Sequence, residues 1–262
     1  MGKSSLKIAI AQWNIQDGDI DYNISKLKTF SEKAKAQNAD LLQIPEMWYF
    51  GYDYDNFKKF GSGLSEGAFK EISQVAKEFQ IAVCGTSAKK ENNGFYNTMT
   101  FVDQFGDIQF AYDKLHLFAP MGEADNFKPG NKIEVGEWED WTIGLAICYD
   151  LRFPELFRKQ IIQGAKLILV SAQWPVTRIE HWDLLLRARA IENQAFVVGC
   201  NRTGSTEDYT FPGHSAIIAP DGNVMIQADD SEGIWQTEIT IDILYNYRKT
   251  LPFLYDIRND LT

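Results

Sequence analysis

An α/β fold is the class this sequence predicts, and three observations predict it. Stretches of period-two apolar alternation trade places along the chain with stretches of helical period. Hydrophobic residues make up 45% of the 262 positions and aromatics 13%, enough for one sizeable core. A ten-residue stretch of the first half is echoed in the second half, and no Pro-, Gly- or Ser-rich linker separates the two. Together these predict one domain over residues 1–262.

The elements follow in order. Residues 6–12 alternate Leu6, Ile8 and Ile10 with Lys7, Ala9 and Ala11, the pattern of a strand. Ile24, Leu27, Phe30 and Ala34 recur at helical spacing, with Asp21 as the expected N-cap. Leu41, Leu42 and Ile44 form a short apolar run before Pro45, which reads as a buried strand. Phe69, Ile72, Val75 and Phe79 make a second helix after Ser65, and strands are expected over 81–87, 96–102 and 108–112. The second half repeats the plan. Residues 141–147 alternate as a strand, a helix follows Pro154, 167–170 is a buried strand, 181–193 a helix and 195–200 a strand. Two more strand pairs are expected over 215–239 around the Asp221-Gly222 turn. The tail from Leu251 has no evident partner within the chain. In the echo, Ala39-Asp40-Leu41-Leu42-Gln43-Ile44-Pro45-Glu46-Met47-Trp48 parallels Ala165-Lys166-Leu167-Ile168-Leu169-Val170-Ser171-Ala172-Gln173-Trp174 at a constant offset of 126.

Charge and cysteine usage narrow the function. Twenty-six Lys and Arg against 36 Asp and Glu leave a net charge of −10, which disfavours a nucleic-acid partner. No apolar run approaches the ~18 residues of a membrane span. Cys84, Cys148 and Cys200 are odd in number and far apart, which argues against a disulfide framework and a thiolate zinc site, and for a reducing, cytoplasmic compartment. His116, His181 and His214 are dispersed. Gly61-Ser62-Gly63 lacks the spacing of a phosphate-binding loop, so no cofactor and no metal is expected.

Three residues stand where chemistry is placed. Cys148 closes an alternating strand and precedes Tyr149-Asp150-Leu151-Arg152-Phe153-Pro154-Glu155. A strand's carboxyl end before a helix is where open α/β sheets hold their sites. A buried strand cysteine is the plain alternative, and it is the reading for Cys84 and Cys200. Glu46 follows a buried strand, where burial makes a carboxylate a better base near neutral pH; a surface turn glutamate is the alternative. Lys114 follows the strand over 108–112, with Tyr112 and His116 on its face by period two. A lysine there either supplies fixed positive charge to a thiolate or oxyanion, or is simply solvated.

Pro45-Glu46, Tyr112-Asp113-Lys114-Leu115-His116-Leu117-Phe118 and Ile147-Cys148-Tyr149-Asp150-Leu151-Arg152-Phe153-Pro154-Glu155, in this order, resemble the Glu-Lys-Cys triad motifs of the nitrilase superfamily, the carbon–nitrogen hydrolases. The resemblance spans nearly the whole chain. It continues in Ser171-Ala172-Gln173-Trp174-Pro175, in Arg187-Ala188-Arg189-Ala190-Ile191-Glu192-Asn193-Gln194, in Asn201-Arg202-Thr203-Gly204 and in Gly213-His214-Ser215, and is nearest the ω-amidase-like branch. It implies a four-layer α-β-β-α sandwich with two mixed sheets and pseudo-two-fold halves. It also implies a homodimer, for which the helix over 181–193 and the tail from Leu251 are the candidate face.

The resemblance further implies a mechanism. Cys148 is the nucleophile that forms a thioester, Glu46 the general base, Lys114 with the Tyr149 N–H the oxyanion site, and Glu123 a second glutamate that orients Lys114. The substrate implied is a small carboxylate-bearing amide, such as a 2-oxo dicarboxylic acid monoamide, whose hydrolysis releases ammonia. Arg178 is the candidate for the distal carboxylate, a solvated loop arginine being the alternative, with Tyr149 and Trp174 as walls, while Arg152 and Glu155 are expected to form a structural ion pair. The alternatives are a nitrilase, an N-carbamoyl amide hydrolase, a Cys-His acyl transferase or protease using His116, and a catalytically silent binding scaffold.

Overall fold

The first strand, β1 (Ser5–Gln12), shows how the layers arise. Leu6, Ile8 and Ile10 enter a core shared with Leu145, Leu167 and Leu169 of the second half, while Ala9 and Ala11 enter a separate core with Leu27, Phe30, Ile72 and Val75 of two helices. Side chains alternate sides along a strand, so the bulky set faces the opposing sheet and the alanines let helices lie close. In this computed structural model residues 2–92 and 94–258 are described.

After β1 come α1 (Ile20–Ala36), β2 (Leu41–Gln43), the single turn α2 (Phe57–Phe60), α3 (Gly67–Phe79), β3 (Ala82–Glu91), β4 (Gly94–Val102) and β5 (Ile108–Asp113). The short α4 (Glu123–Asn126) closes the first half, and the second runs through β6 (Val135–Trp138), β7 (Trp141–Ile147), α5 (Pro154–Ile162), β8 (Leu167–Ala172), α6 (Ile179–Asn193) and β9 (Phe196–Asn201). A ribbon of β10 (Thr203–Ser205) and β11 (Thr210–Pro212) follows, then β12 (Ala216–Ile218), β13 (Val224–Gln227), β14 (Gly233–Thr240) and α7 (Ile241–Thr250).

Two six-stranded sheets result, in the orders β14-β1-β2-β3-β4-β5 and β13-β12-β9-β8-β7-β6. In each, three central strands are parallel and the flanking pairs antiparallel. Matched from β14 and β6 inward, β1 corresponds to β7, β2 to β8 and β3 to β9. The echoed segments therefore occupy equivalent third places, as a pseudo-two-fold requires. The sheets pack face to face, β3 against β8, β4 against β7 and β1 against β9. Helices α1 and α3 cover the outer face of one sheet and α5 and α6 that of the other, which makes the α-β-β-α sandwich that the motifs implied.

Local chemistry explains the helices. Buried Ala68, Phe69, Ile72, Val75 and Ala76 line one stripe of α3. Pro154 opens α5 at its first turn, where a missing N–H costs nothing. Helix α6 lies so close to β9 that a Cβ on Gly199 would meet Leu186 at 2.6 Å and Trp182 at 2.8 Å. Deleting a side chain such as Leu186 from that contact should cost about 2–5 kcal/mol.

Three expectations are corrected, and a helix that the pattern left unmarked is added. The cap of α1 is Asp19, whose side chain accepts from the Tyr22 N–H at 3.0 Å; Asp21 lies in the first turn, where its charge complements the helix dipole. Residues 215–239 hold three strands, not two pairs. β12 and β13 pair with each other, but β14 crosses to the other sheet beside β1. Period-two patterning is identical in either sheet, so only packing reveals the crossing. A seventh helix follows, capped by Thr240, with Asp242 in its first turn and Arg248 and Lys249 in its last. Only Ile241 and Leu244 of it are buried, too few for a visible stripe. The tail does meet the chain: Gln194 Nε2 donates to the Leu251 carbonyl at 2.6 Å, and Leu254 packs on the main core. The tail's last four residues lie outside the described ones.

Candidate active site

Both echoed strands end at one place. Gln43 Nε2 donates to Ser171 Oγ at 2.6 Å, and Ser171 Oγ donates to the Ile44 carbonyl at 2.7 Å, so β2 and β8 are tied across the sheets at their carboxyl ends. Beyond the tie the chain delivers Glu46 from one side and Gln173 from the other. The Gln173 N–H donates to Glu46 Oε2 and its Nε2 to the Glu46 carbonyl, both at 2.9 Å. Gln173 is in turn gripped by Arg202 Nη1 at 2.7 Å.

Glu46 Oε1 faces a buried cluster of donors. Lys114 Nζ lies at 2.8 Å, Tyr52 Oη at 2.7 Å and Asn97 Nδ2 at 2.8 Å. Lys114 also contacts both oxygens of Glu123, at 2.8 and 2.7 Å, and Glu123 is held further by the Phe118 N–H at 2.7 Å, Tyr52 Oη at 2.9 Å and Asn97 Nδ2 at 3.1 Å. Glu46 and Lys114 are both 0% exposed and Glu123 1%. Burial opposes the charge of Lys114, but the Glu123 and Glu46 carboxylates outweigh it and hold its pKa well above the ordinary lysine value. Burial, with the neighbouring Glu123 and Glu46 charges, pushes the Tyr52 hydroxyl up, so it stays a donor.

Cys148 begins a tight 3-10 turn (Cys148–Arg152) after β7, in the left-handed region at φ +44°. Met47, next to Glu46, shares this conformation at φ +50°. Strain of this kind in non-glycine residues costs of order 1–3 kcal/mol and persists where the surroundings over-determine it. Burial first, and then the Glu46 charge, push the Cys148 thiol well above its ordinary pKa; Lys114 and the Gln173 backbone N–H oppose them. The resting thiol is therefore protonated near neutral pH and requires a proton acceptor to become a nucleophile. Buried Arg189 braces the turn by donating to the Leu151 carbonyl from Nε at 3.1 Å and Nη2 at 2.8 Å.

The cysteine, 8% exposed, lines a cleft walled by Phe118, Tyr149, Trp174, Arg152 and Arg178. Trp174 is fixed by the Asn201 side chain and donates its indole N–H to the Arg178 carbonyl at 2.7 Å. The Arg178 guanidinium lies 5.4 Å from the Phe118 ring centre. The expected Arg152–Glu155 pair is absent. Arg152 lies 4.7 Å over the Trp174 ring and 3.3 Å from His181 Nδ1, while Glu155 is exposed at the start of α5. Burial and, to a lesser degree, the like charge of Arg178 draw the Arg152 pKa down from its ordinary value. Among the described residues neither arginine pairs with a carboxylate. The positive charge of the cleft comes from these two, since Lys114 is outnumbered by two glutamates.

The structure thus brings together Glu46, Lys114, Glu123, Cys148, Tyr149, Trp174 and Arg178. Tyr52, Asn97 and Gln173 join them without having been singled out, and Arg152 joins them in place of its expected pairing with Glu155. Gln173 and Arg152 sat inside quoted motifs, whereas Tyr52 and Asn97 carried no local signal. Cys84 and Cys200 are buried, with thiols pushed well up by burial. His116 turns its Nδ1 to Asp150 at 2.7 Å and stacks on Phe153, so its ring is committed elsewhere than to the thiol. Among the described residues no group of three His, Cys, Asp or Glu could hold a metal ion, and no helix is long and apolar enough to cross a membrane.

Residues 7–249 match the family model for carbon-nitrogen hydrolases. A 2-oxoglutaramate amidase of Bacillus subtilis is 39% identical over 97% of this chain and 98% of its own length. An omega-amidase of Yersinia enterocolitica is 32% identical over 97% of each. A carbon–nitrogen hydrolase superfamily protein of Xanthomonas campestris, solved with an arsenic adduct in its active site, superposes with a TM-score of 0.91 at 28% identity, over 97% of this chain and 98% of that one.

Proposed function

The chain belongs to the carbon–nitrogen hydrolase family and hydrolyses amide C–N bonds, and from that premise we propose that Cys148, Glu46 and Lys114 are its catalytic triad and that its substrate is a small amide carrying one carboxylate at its far end. Glu46 takes the thiol proton as Cys148 sulfur attacks the amide carbon. Negative charge builds on the carbonyl oxygen, facing Lys114 and the Tyr149 N–H, one of the helix-start donors left without an intrahelical acceptor. Such a donor is worth about 3–4 kcal/mol in the transition state. The C–N bond breaks as Glu46 returns the proton to nitrogen, and ammonia leaves a thioester on Cys148. Water, deprotonated by Glu46, cleaves the thioester; the acid departs and the thiol is restored. Glu123 orients Lys114 and keeps it charged.

The observation that carries this reading is the buried Glu46–Lys114–Glu123 cluster beside a cysteine whose thiol requires a base. Lys114 stays cationic through neutral pH, so its charge is in place before the oxyanion forms. The two arginines without a carboxylate partner support an anionic acyl group. The relatives named for 2-oxoglutaramate and ω-amides point to the same class, a 2-oxo dicarboxylic acid monoamide. Tyr149 and Trp174 would flank its chain and Arg178, with Arg152, its distal carboxylate.

A homodimer is part of the proposal. Leu184 on α6 is 65% exposed, and Ile191, Leu251 and Tyr255 are exposed as well, which supports association through α6 and the tail. Sedimentation of the purified protein at twice the monomer mass is the expected result. The function is tested by ammonia release over short amides, nitriles and N-carbamoyl amino acids, with Cys148→Ala as blank. Carboxylate-bearing amides should react fastest, and preference for a nitrile or carbamoyl compound would overturn the substrate class.

A further inference from the structure

One buried carboxylate touches the backbone beside both proposed reacting groups. Asp150, 0% exposed, takes four hydrogen bonds. Its Oδ2 accepts from the Ile147 N–H at 3.0 Å, immediately before Cys148, and from Tyr112 Oη at 2.8 Å. Its Oδ1 accepts from the His116 N–H at 3.0 Å and stands 2.7 Å from His116 Nδ1. Tyr112 Oη also accepts from the Leu115 N–H at 3.2 Å, which closes the backbone around Lys114. The same turn is pinned outside by the Phe153 ring, stacked on His116 with centres 3.7 Å apart.

We propose that Asp150, gripped by His116 and Tyr112, is a clamp that sets Cys148 against Lys114, and that His116 is a positioning residue for the hydrolysis. The physical reason lies in the backbone. Cys148 is held at φ +44°, a conformation a non-glycine residue keeps only under constraint. The Ile147 N–H bond fixes the entry to that turn, and the His116 bonds tie it to the segment that delivers Lys114. With Nδ1–H committed to Asp150, the imidazole is oriented as a strut. Loosening the strut lets sulfur and ammonium drift apart, and a displacement of about 1 Å at a reacting atom can cost on the order of 10²-fold in rate.

The inference rests on Cys148 being the nucleophile. Its test compares His116→Ala with His116→Asn, because an Asn amide places a donor near the Nδ1 position but cannot serve as a base. Expected for His116→Ala is a kcat lowered about 10- to 100-fold, KM for the amide within about twofold, and alkylation of Cys148 by iodoacetamide slowed in parallel. His116→Asn should recover most of both rates. Tyr112→Phe, which removes one donor to Asp150 and keeps the ring, should reproduce the loss more mildly and stands in should His116→Ala fail to fold. Unchanged kcat and alkylation in His116→Ala and Tyr112→Phe would overturn the clamp, as would His116→Asn as impaired as His116→Ala. Those results leave the nucleophile in place if Cys148→Ala is inert, whereas an active Cys148→Ala overturns the nucleophile itself.

Discussion

The two halves share one strand plan and use its ends differently. In the first half the turn after β2 presents Glu46, and the segment beyond β5 presents Lys114 and then Glu123: three charged groups sealed from water. In the second half the equivalent turn after β8 presents uncharged Gln173, and the end of β7 presents Cys148. The pseudo-symmetric counterpart of that end is β1, followed by Trp13, which is buried against Phe30. In the proposed mechanism one half thus supplies proton and charge management, and the other the nucleophile, the neutral donors and the walls of the cleft. A repeated fold can diverge in this way because strand-end residues contribute little to the sheet's own pairing, so they are free to change while the apolar interior is kept.

Predictions that break the comparison come first. Removing the proposed nucleophile of the second half, Cys148→Ala, should lower ammonia release by ~10⁴-fold or more, with the fold intact by circular dichroism. Removing the proposed base of the first half, Glu46→Gln, should lower kcat ~10²- to 10⁴-fold while Cys148 stays available to a mass-detectable alkylating agent. Near-wild-type turnover would take the proton role from Glu46.

Lys114→Met tests whether the charged cluster is one unit. It leaves two carboxylates buried without their cation, and denaturant titration should show a loss of about 3–5 kcal/mol. The sign of the pH effect follows from the raised pKa. The charge of Lys114 stabilises the fold fully below the unfolded value of about 10.4 and ceases to do so as pH rises through the higher folded value. The native protein should therefore show an alkaline fall in stability that Lys114→Met lacks.

Arg178→Ala sharpens the second half's part. KM for a carboxylate-bearing amide should rise about 10-fold or more, against less than about twofold for a neutral amide of the same length. Equal effects would remove Arg178 as the carboxylate contact. Smallest is Ser171→Ala, which unties the echoed strands and leaves the Ile44 carbonyl and the Gln43 amide short of a partner; about 1–3 kcal/mol of stability should be lost.

Much of this was legible in the chain. Alternation at Leu6, Ile8 and Ile10 and at Trp141 through Ile147 marked strands because a period of two survives any packing that buries one face. The echo at offset 126 marked equivalent strands because burial on both sides demands the same run of apolar residues. Cys148, Glu46 and Lys114 were visible as strand-end residues, and the motif resemblance tied them together. Less visible were α7, which buries only two side chains, and the crossing of β14, whose pattern suits either sheet.

By itself, then, the sequence determined the fold class, the order of most strands and helices, and the residues able to do chemistry, since these depend on local period and residue type. The tertiary structure alone decided which groups meet. Tyr52 and Asn97 reach Glu46 and Glu123 through bonds spanning 6 to 71 positions. Arg152 turns to Trp174 rather than Glu155, and Asp150 closes on a histidine 34 residues away. Hydrogen bonds and charges act over a few ångströms of space and are blind to separation along the chain, so no local pattern announces them.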